Sequence, residues 1–206
     1  MTPVAALAQA ERNGMGKRRL KLLALGDSLT AGWGLGAGEG LVPQLQAALV
    51  AQGYNVEVVN AGVSGDTTAG GLARLDWALA DKPDAALVAL GANDMLRGLP
   101  PETAKTNLDA VLTKLAAAGV PALLAGMKAS PSLGSDYVRR FDALYPELAE
   151  RHNIPLYPFF LDGVAADPTL NQGDGIHPNA AGVRRIVAGL APMAARLLDA
   201  VAAKGT

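Results

Sequence analysis

The sequence contains no cysteine and only two histidines. The absence of cysteine excludes disulfides, thiolate metal ligands and a cysteine nucleophile. Any mechanism that needs an imidazole must therefore use His152 or His177. His152 comes at the predicted end of a helix, where the helix dipole favours a cation, so its expected role is structural. That leaves His177 as the candidate for proton transfer.

The sequence has no excess of charge of either sign, because Lys and Arg number 18, Asp and Glu number 19, and the formal net charge is −1. This balance creates no overall field that attracts nucleic acid or an anionic membrane. Aromatic residues make up 4% of the chain, which argues against an extended platform for sugars. These shortages favour a small-molecule substrate, and we expect no nucleic-acid partner.

Apolar runs long enough to cross a bilayer are not expected either, so we predict no stable membrane insertion. An Ala-rich segment from Val4 to Ala10 precedes the basic residues 17–19, the reverse of their order in a secretory signal. We expect residues 1–20 to form a peripheral helix or tail. Residues 21–206 are expected to form one domain, because a chain of 206 residues with 50% hydrophobic content suits a single core. No heptad pattern demands a partner, which makes a monomer the default.

Short apolar runs alternate with helical segments along the chain, a pattern that predicts an α/β fold with a five-stranded parallel sheet and helices on both faces. The predicted strands are 22–25, 56–60, 84–91, 120–126 and 154–157. The predicted helices are 41–51, 68–80, 101–118, 135–152 and a terminal helix after Pro178, which Pro192 should kink or break.

A run of alternating glycines after the first strand could be mistaken for a dinucleotide-binding loop. The spacing G-x-G-x-x-G is not met, because Glu39 occupies the sixth position counted from Gly34 and Ala37 occupies it counted from Gly32. No phosphate-binding loop of the form G-x-x-x-x-G-K-[ST] is present either. We expect no nucleotide cofactor.

Residues that could supply a nucleophile or a hydrogen-bond donor follow the first three predicted strands where each strand ends. Ser28, Gly62 and Asn93 occupy these positions. Parallel strands present their carboxyl ends at one edge of the sheet, and doubly wound folds bind their ligands at that edge. Asp174 and His177 follow near the C-terminus, three residues apart, with Gly175 allowing the bend that would bring them together.

These residue types match the requirements of acyl transfer, which are an activated hydroxyl, an imidazole, an orienting carboxylate and donors to the oxyanion. Ser28 is the candidate nucleophile, His177 the general base and Asp174 its orienting carboxylate. The oxyanion hole is predicted from the backbone N–H groups of Ser28 and Gly62 and the side-chain amide of Asn93.

Each of these residues also has a structural interpretation. Asn93 is typical of a turn after a strand, Gly62 of a backbone with positive φ, and His177 before a proline of a helix entry. Asp27 and Asp94 are interpreted as acceptors that hold the neighbouring loops. Ser64 is a second polar candidate without a nearby base in the sequence, and its expected role is in its turn.

Four blocks of the sequence resemble the conserved blocks of the GDSL, or SGNH, hydrolases: 26–29, 60–65, 91–94 and 174–177. The four residues that name the family correspond to Ser28, Gly62, Asn93 and His177. The segments 65–71, 93–98 and 157–160 resemble the bacterial thioesterase, arylesterase and lysophospholipase group. The resemblance implies a flavodoxin-like three-layer fold and hydrolysis of esters or thioesters without a metal or organic cofactor. G-x-S-x-G is absent, since Thr30 stands two residues after Ser28, which argues against the α/β-hydrolase fold.

Apolar side chains close to the predicted site favour an acyl chain as ligand, because a sugar needs many polar partners. Leu29, Met95, Leu96 and Ile176 are the candidate substrate-binding residues. We therefore expect a serine esterase that hydrolyses short- to medium-chain esters and thioesters through an acyl-enzyme. A cytoplasmic location is favoured, although members of the resembling group often carry an export signal.

Three other functions remain open at this point. The first is a carbohydrate acetylesterase, because resembling families use the same blocks for deacetylation. The second is a non-catalytic flavodoxin-like binding module. The third is a metal-dependent phosphoesterase that would draw on Asp27, Asp66, Asn93, Asp94, Asp174 and His177. The last is disfavoured by the absence of a paired metal-ligand motif.

Overall fold

The computed structural model describes residues 18–204. Most of the predicted peripheral segment, residues 1–17, lies outside the described residues. Leu20, inside the same predicted segment, already belongs to the first strand. The domain boundary expected at residue 21 therefore falls within that strand.

The sheet has five parallel strands in the order β2-β1-β3-β4-β5. Their bounds are β1 Leu20–Gly26, β2 Val56–Gly62, β3 Ala85–Ala89, β4 Ala122–Ala125 and β5 Leu156–Tyr157. The residues of β3 and nearly all of β1 are buried, as expected for inner strands that are covered on both faces. The predicted five-stranded parallel sheet is confirmed.

Eight helices surround the sheet in the described part of the chain. They are α1 Ser28–Ala31, α2 Leu41–Ala51, α3 Thr68–Ala73, α4 Leu75–Leu79, α5 Ala92–Leu96, α6 Pro101–Ala117, α7 Ser135–His152 and α8 Ala180–Lys204. A short 3₁₀ turn, Pro131–Leu133, precedes α7. One layer is formed by α2 packed against α8, and the other by α6 packed against α3 and α7. The result is the expected three-layer αβα architecture.

The helix predicted over residues 68–80 is divided into α3 and α4 at Arg74. Two glycines in α3 lower its helix propensity. The side chain of Arg74 also turns towards the sheet, where it donates hydrogen bonds to the Gly26 carbonyl and to Asp66. The break in the predicted helix therefore coincides with the tertiary contacts of Arg74, and the sequence pattern of residues 68–80 did not predict it.

The terminal helix α8 does not break at Pro192. Ala191, Leu190 and Ala194 around the proline are buried and anchor both halves of the helix on the core. Residues 180–203 are also long and apolar enough, by length and composition alone, to cross a membrane, contrary to the expectation for this chain. A core helix of a folded domain can pass the same test, so this signal is weak evidence, and 44% of the apolar window is buried in the fold.

The strand order reverses between β1 and β3, which lie side by side at the centre of the sheet. A doubly wound sheet of order 2-1-3-4-5 binds its ligands at this switch point. Ser28 follows β1 and Asn93 follows β3, so the topology brings both to the same crevice.

Candidate active site

Ser28 is presented by the tight turn that joins β1 to α1. Asp27 caps α1, because its carboxylate accepts a hydrogen bond from the Leu29 N–H at 3.0 Å. Ser28 is the first residue of the helix, where backbone N–H groups have no partner within the helix. Among the described residues, none accepts a hydrogen bond from the Ser28 N–H. This N–H is therefore free to bind an anion formed next to the Ser28 side chain.

A continuous chain of hydrogen bonds connects Ser28, His177 and Asp174. Ser28 Oγ lies 2.9 Å from His177 Nε2, and His177 Nδ1 lies 2.7 Å from Asp174 Oδ2. The other carboxylate oxygen, Oδ1, accepts hydrogen bonds from the backbone N–H of Ile176 and of His177. The structure thus brings the three predicted catalytic side chains together in the geometry of a nucleophile, base and orienting carboxylate.

The state of Asp174 fixes the tautomer of the imidazole. The backbone N–H of His177, its ring N–H and the N–H of Ile176 together hold the pKa of Asp174 well below its usual range. A carboxylate that is ionised can only accept hydrogen bonds, so Nδ1 of His177 carries the proton. Nε2 is then free to accept the Ser28 hydroxyl proton, as a general base must.

Gln172 holds the segment that carries Asp174 and His177 against the segment that carries Ser28. Its side-chain amide donates to the Trp33 carbonyl at 2.8 Å and to the Pro178 carbonyl at 3.0 Å. Its backbone N–H donates to the His177 carbonyl at 2.7 Å. Sequence reasoning missed this residue, because a single glutamine in an irregular stretch gives no signal of a contact with residue 33.

Asn93 lies at the start of α5, directly beside the Ser28 turn. Its side-chain amide nitrogen donates to the Asp66 carbonyl at 2.9 Å and to Asp27 Oδ2 at 3.3 Å. Asp94, the next residue, is buried and accepts hydrogen bonds from the backbone N–H and the hydroxyl of Thr68. Asp27 and Asp94 therefore both bind neighbouring loops, as the sequence interpretation expected.

Gly62 is less suited to the oxyanion hole than the sequence suggested. Its N–H already donates to Asn60 Oδ1 at 2.9 Å. A Cβ at this position would lie 2.3 Å from the backbone nitrogen of Ala31, so a glycine is required for the close packing of β2 against α1. The alternative interpretation from the sequence, a backbone with positive φ at Gly62, is wrong, because Gly62 is not among the glycines with positive φ. The close approach of α1 is what requires a glycine here.

Gly65, three residues further along the same loop, is a better placed donor. It has a φ of +82°, which favours glycine, and its N–H has no acceptor among residues 18–204. The next residue, Asp66, receives the hydrogen bond from Asn93, so the loop passes beside the predicted site at this point. The sequence block 60–65 contains two glycines, Gly62 and Gly65. The hydrogen bond from the Gly62 N–H to Asn60 shows that the Gly65 N–H is the one left to bind a ligand.

The candidate substrate-binding residues do not all line one surface. A small cleft beside Ser28 and His177 is lined by Leu29, and by Trp33, Leu35, Pro178 and Val183. Met95 and Leu96 lie on α5 next to Asn93, and Leu96 is 53% exposed. Ile176 is 48% exposed on the loop that carries the imidazole. Val183 of α8 was missed, because its side chain reaches the cleft only through packing between distant segments.

Two other residues considered in the sequence analysis, His152 and Asp66, form contacts outside the chain of hydrogen bonds at Ser28. His152 pairs through Nε2 with Asp109 Oδ1 at 2.7 Å, between α6 and α7. Asp66 pairs with Arg74. Within residues 18–204, no group of three or more His, Asp or Glu side chains is placed to hold a metal ion.

The sheet is flavodoxin-like, and a serine, a histidine and an aspartate are hydrogen-bonded in series at its switch point. This is the arrangement of a serine hydrolase with a three-layer αβα fold. The chain belongs to the GDSL-like lipase/acylhydrolase family, whose sequence profile matches residues 24–185. This membership confirms the resemblance drawn from the four sequence blocks.

Several relatives share most of this chain. It is 42% identical to esterase TesA of Pseudomonas aeruginosa over 178 residues, which cover 86% of this chain and 89% of the relative. It is 40% identical over 159 residues to thioesterase 1/protease 1/lysophospholipase L1 of Escherichia coli (strain K12), covering 77% of this chain and 75% of that protein. The crystal structure of AlinE4, an SGNH-hydrolase family esterase, is 47% identical, with a TM-score of 0.75 over 88% of this chain and 97% of that one.

Proposed function

We propose that this protein is a serine esterase that hydrolyses carboxylic esters and thioesters through an acyl-enzyme intermediate. The hydrogen-bonded chain of Ser28, His177 and Asp174 is the observation that carries the proposal. The names of its relatives, which include an esterase and a thioesterase, support the same reaction class. The apolar side chains that line the small cleft beside Ser28 support an acyl group as the part of the substrate that is recognised, and we propose a short to medium chain length for it.

In the first half of the reaction, Ser28 Oγ attacks the carbonyl carbon while its proton passes to His177 Nε2. The negative charge on the carbonyl oxygen is stabilised by hydrogen-bond donors, and the tetrahedral intermediate then breaks its bond to the leaving oxygen or sulfur. His177 returns the proton to that leaving group. The acyl group is now esterified to Ser28.

In the second half, water replaces the leaving group. His177 Nε2 takes a proton from the water as its oxygen attacks the acyl carbon. Breakage of the bond between that carbon and Ser28 Oγ releases the acid, and the proton on His177 passes back to the serine. Asp174 keeps the ring in the same tautomer and stabilises the imidazolium in both halves.

We propose three donors for the oxyanion: the backbone N–H of Ser28, the side-chain amide of Asn93, and the backbone N–H of Gly65. Gly65 takes the place first predicted for Gly62, because the Gly62 N–H is already donated to Asn60. The free N–H of Ser28 at the start of α1 and the free N–H of Gly65 support this assignment.

Replacing Asn93 with alanine is expected to lower kcat by about 10² to 10³, because one donor to the oxyanion is removed while two remain. KM should change little, since the donor acts on charge that develops in the transition state. Turnover of p-nitrophenyl butyrate measures the effect. Asn55→Ala, an exposed asparagine at the opposite edge of the sheet, is the matched control and should retain the wild-type rate.

The first experiment is turnover of p-nitrophenyl acetate, butyrate, octanoate and palmitate with a chelator present, alongside a fatty acyl thioester. Activity that peaks at butyrate or octanoate supports the proposed acyl specificity. Activity confined to acetate favours the acetylesterase interpretation. A folded protein without turnover on any ester would contradict the proposal and favour the binding module.

A further inference from the structure

Trp33 is a large apolar residue that the fold leaves in contact with solvent. It is 56% exposed, and it lines the small cleft beside Ser28 and His177. The centroid of its ring lies 6.3 Å from that of the His177 ring, with an angle of 40° between the two planes. Packing of the core does not account for an aromatic residue at this place, and the reaction described above gives it no role.

Hydrogen bonds fix the backbone of Trp33 relative to both the nucleophile and the base. Its N–H donates to the Ser28 carbonyl at 3.1 Å. Its carbonyl accepts the side-chain amide of Gln172 at 2.8 Å, and the backbone N–H of Gln172 donates to the His177 carbonyl. The position of Trp33 is thus set by the same two segments that bring Ser28 Oγ to His177 Nε2.

The glycines on either side of Trp33 give this segment its shape. Gly32 and Gly34 have φ values of +85° and +71°, in the region that favours glycine. A Cβ on Gly34 would also lie 2.1 Å from Oε1 of Gln172. The run of alternating glycines, which does not fit a dinucleotide-binding loop, therefore holds an aromatic side chain next to the catalytic residues.

The chemistry at Ser28 places the leaving group on the side of the imidazole. In the tetrahedral intermediate, the oxyanion faces its proposed donors, the backbone N–H groups of Ser28 and Gly65 and the amide of Asn93. The leaving oxygen or sulfur must lie within hydrogen-bond reach of His177 Nε2, because that nitrogen returns the proton to it. The group attached to the leaving atom is then next to the imidazole, where Trp33 is the neighbouring aromatic ring.

The two groups of an ester need different surroundings. The acyl group stays on Ser28 until water releases it, and we have proposed the small cleft for it. The leaving group must depart to solvent after the first half of the reaction, before water can attack. Trp33 has more than half of its surface exposed, so it can contact a departing group without enclosing it.

We propose that Trp33 is a specificity-determining residue for ester hydrolysis, whose indole ring contacts the leaving group and favours a flat aromatic one. The proposal rests on the proposed serine esterase function. Aromatic rings attract one another in offset-stacked or edge-to-face arrangements, with centroids about 4.5 to 7 Å apart. An alkyl leaving group lacks this attraction and gains only apolar contact.

Two esters with one acyl group and different leaving groups isolate this effect. Phenyl butyrate and trifluoroethyl butyrate form the same acyl-enzyme, so deacylation is identical and kcat/KM compares the acylation steps. Trp33→Ala is expected to lower kcat/KM for phenyl butyrate about 5- to 20-fold and for trifluoroethyl butyrate by less than about threefold. The ratio of the two values is the readout, since any change in the reactivity of Ser28 cancels in it.

Three further variants separate the ring from its bulk and from its position. Trp33→Phe keeps an aromatic ring and should retain most of the wild-type preference for the phenyl ester. Trp33→Leu keeps an apolar side chain without a ring and should lose the preference, and it replaces Trp33→Ala if the alanine variant does not fold. Trp77→Ala is the matched control, because the other tryptophan of the chain is 77% exposed on α4, outside the cleft, and should not affect the ratio.

An equal loss on both esters in Trp33→Ala would overturn the proposal, because it would show that Trp33 supports the imidazole and not the leaving group. So would a Trp33→Ala enzyme with the wild-type ratio. A Trp33→Leu enzyme as selective as wild type would show that apolar bulk is sufficient, and would overturn the preference for an aromatic group.

The same assays keep this proposal separate from the proposed function. If the wild-type protein turns over neither ester, or if Ser28→Ala turns over both, the esterase proposal fails. If wild type is active on both esters, Ser28→Ala on neither, and Trp33→Ala has the wild-type ratio, the role of Trp33 alone is refuted. We expect a wild-type preference for the phenyl ester that is lost in Trp33→Ala and Trp33→Leu and kept in Trp33→Phe and Trp77→Ala.

Discussion

Ser28→Ala is expected to lower kcat for p-nitrophenyl butyrate by about 10⁴ to 10⁶, with the fold intact. The reason is that a nucleophile must give its proton to His177 Nε2. Within the described residues, the Ser28 hydroxyl is the only group hydrogen-bonded to this nitrogen. The alanine removes one oxygen from the first residue of α1 and leaves the Asp27 cap in place. Circular dichroism and the urea midpoint should therefore match wild type.

Covalent chemistry gives a second measurement of the same prediction. Mass spectrometry of the wild-type enzyme, quenched during turnover of a slow ester, should show the added mass of one acyl group, which Ser28→Ala lacks. Ser64→Ala is the matched control, because this serine is exposed and follows β2 without a hydrogen bond to either imidazole. Turnover that survives in Ser28→Ala would remove Ser28 as the nucleophile.

His177→Ala is expected to lower kcat by a similar factor, about 10⁴ to 10⁶, because both proton transfers pass through its Nε2. The loss should depend on the leaving group. A p-nitrophenolate leaves without protonation, whereas an alkoxide requires the proton that His177 carries. We therefore expect a larger loss for ethyl butyrate than for p-nitrophenyl butyrate.

The other histidine provides the control for this variant. His152→Gln removes an imidazole that pairs with Asp109 between α6 and α7, and should keep the wild-type rate on both esters. A near-normal rate in His177→Ala would contradict the assignment of the general base. An equal loss on both esters would restrict its role to the activation of Ser28.

The sequence could predict that the proposed catalytic residues come together, because each has a local signal. Ser28 and Asn93 follow buried strands, and a parallel sheet brings such positions to one edge whatever the details of packing. Asp174 and His177 are three residues apart, a spacing that allows contact within one turn. Both features, a residue that follows a buried strand and a spacing of three residues, are properties of short segments. Periodicity and spacing in the sequence describe such segments directly.

The donors and the cleft depend on contacts between distant segments. The sequence could not show that the Gly62 N–H donates a hydrogen bond to the Asn60 side chain. That bond is our reason for proposing Gly65 and not Gly62 as a donor to the oxyanion. The contact of Gln172 with the Trp33 carbonyl joins residues 139 positions apart. The break at Arg74 likewise coincides with hydrogen bonds from its side chain to another strand and loop.

The proposed general base, His177, and the proposed orienting carboxylate, Asp174, occupy a single short loop, in which Asp174 also accepts hydrogen bonds from the backbone N–H groups of Ile176 and His177. The orientation of the imidazole is therefore a local property, and only its distance from Ser28 depends on the rest of the fold. Opening of this loop, tethered by Gln172, would separate the base from the nucleophile while the sheet stays intact. We expect ester hydrolysis to be lost at a lower urea concentration than the helical circular dichroism signal, so that catalytic competence and global folding are two separate equilibria in this protein.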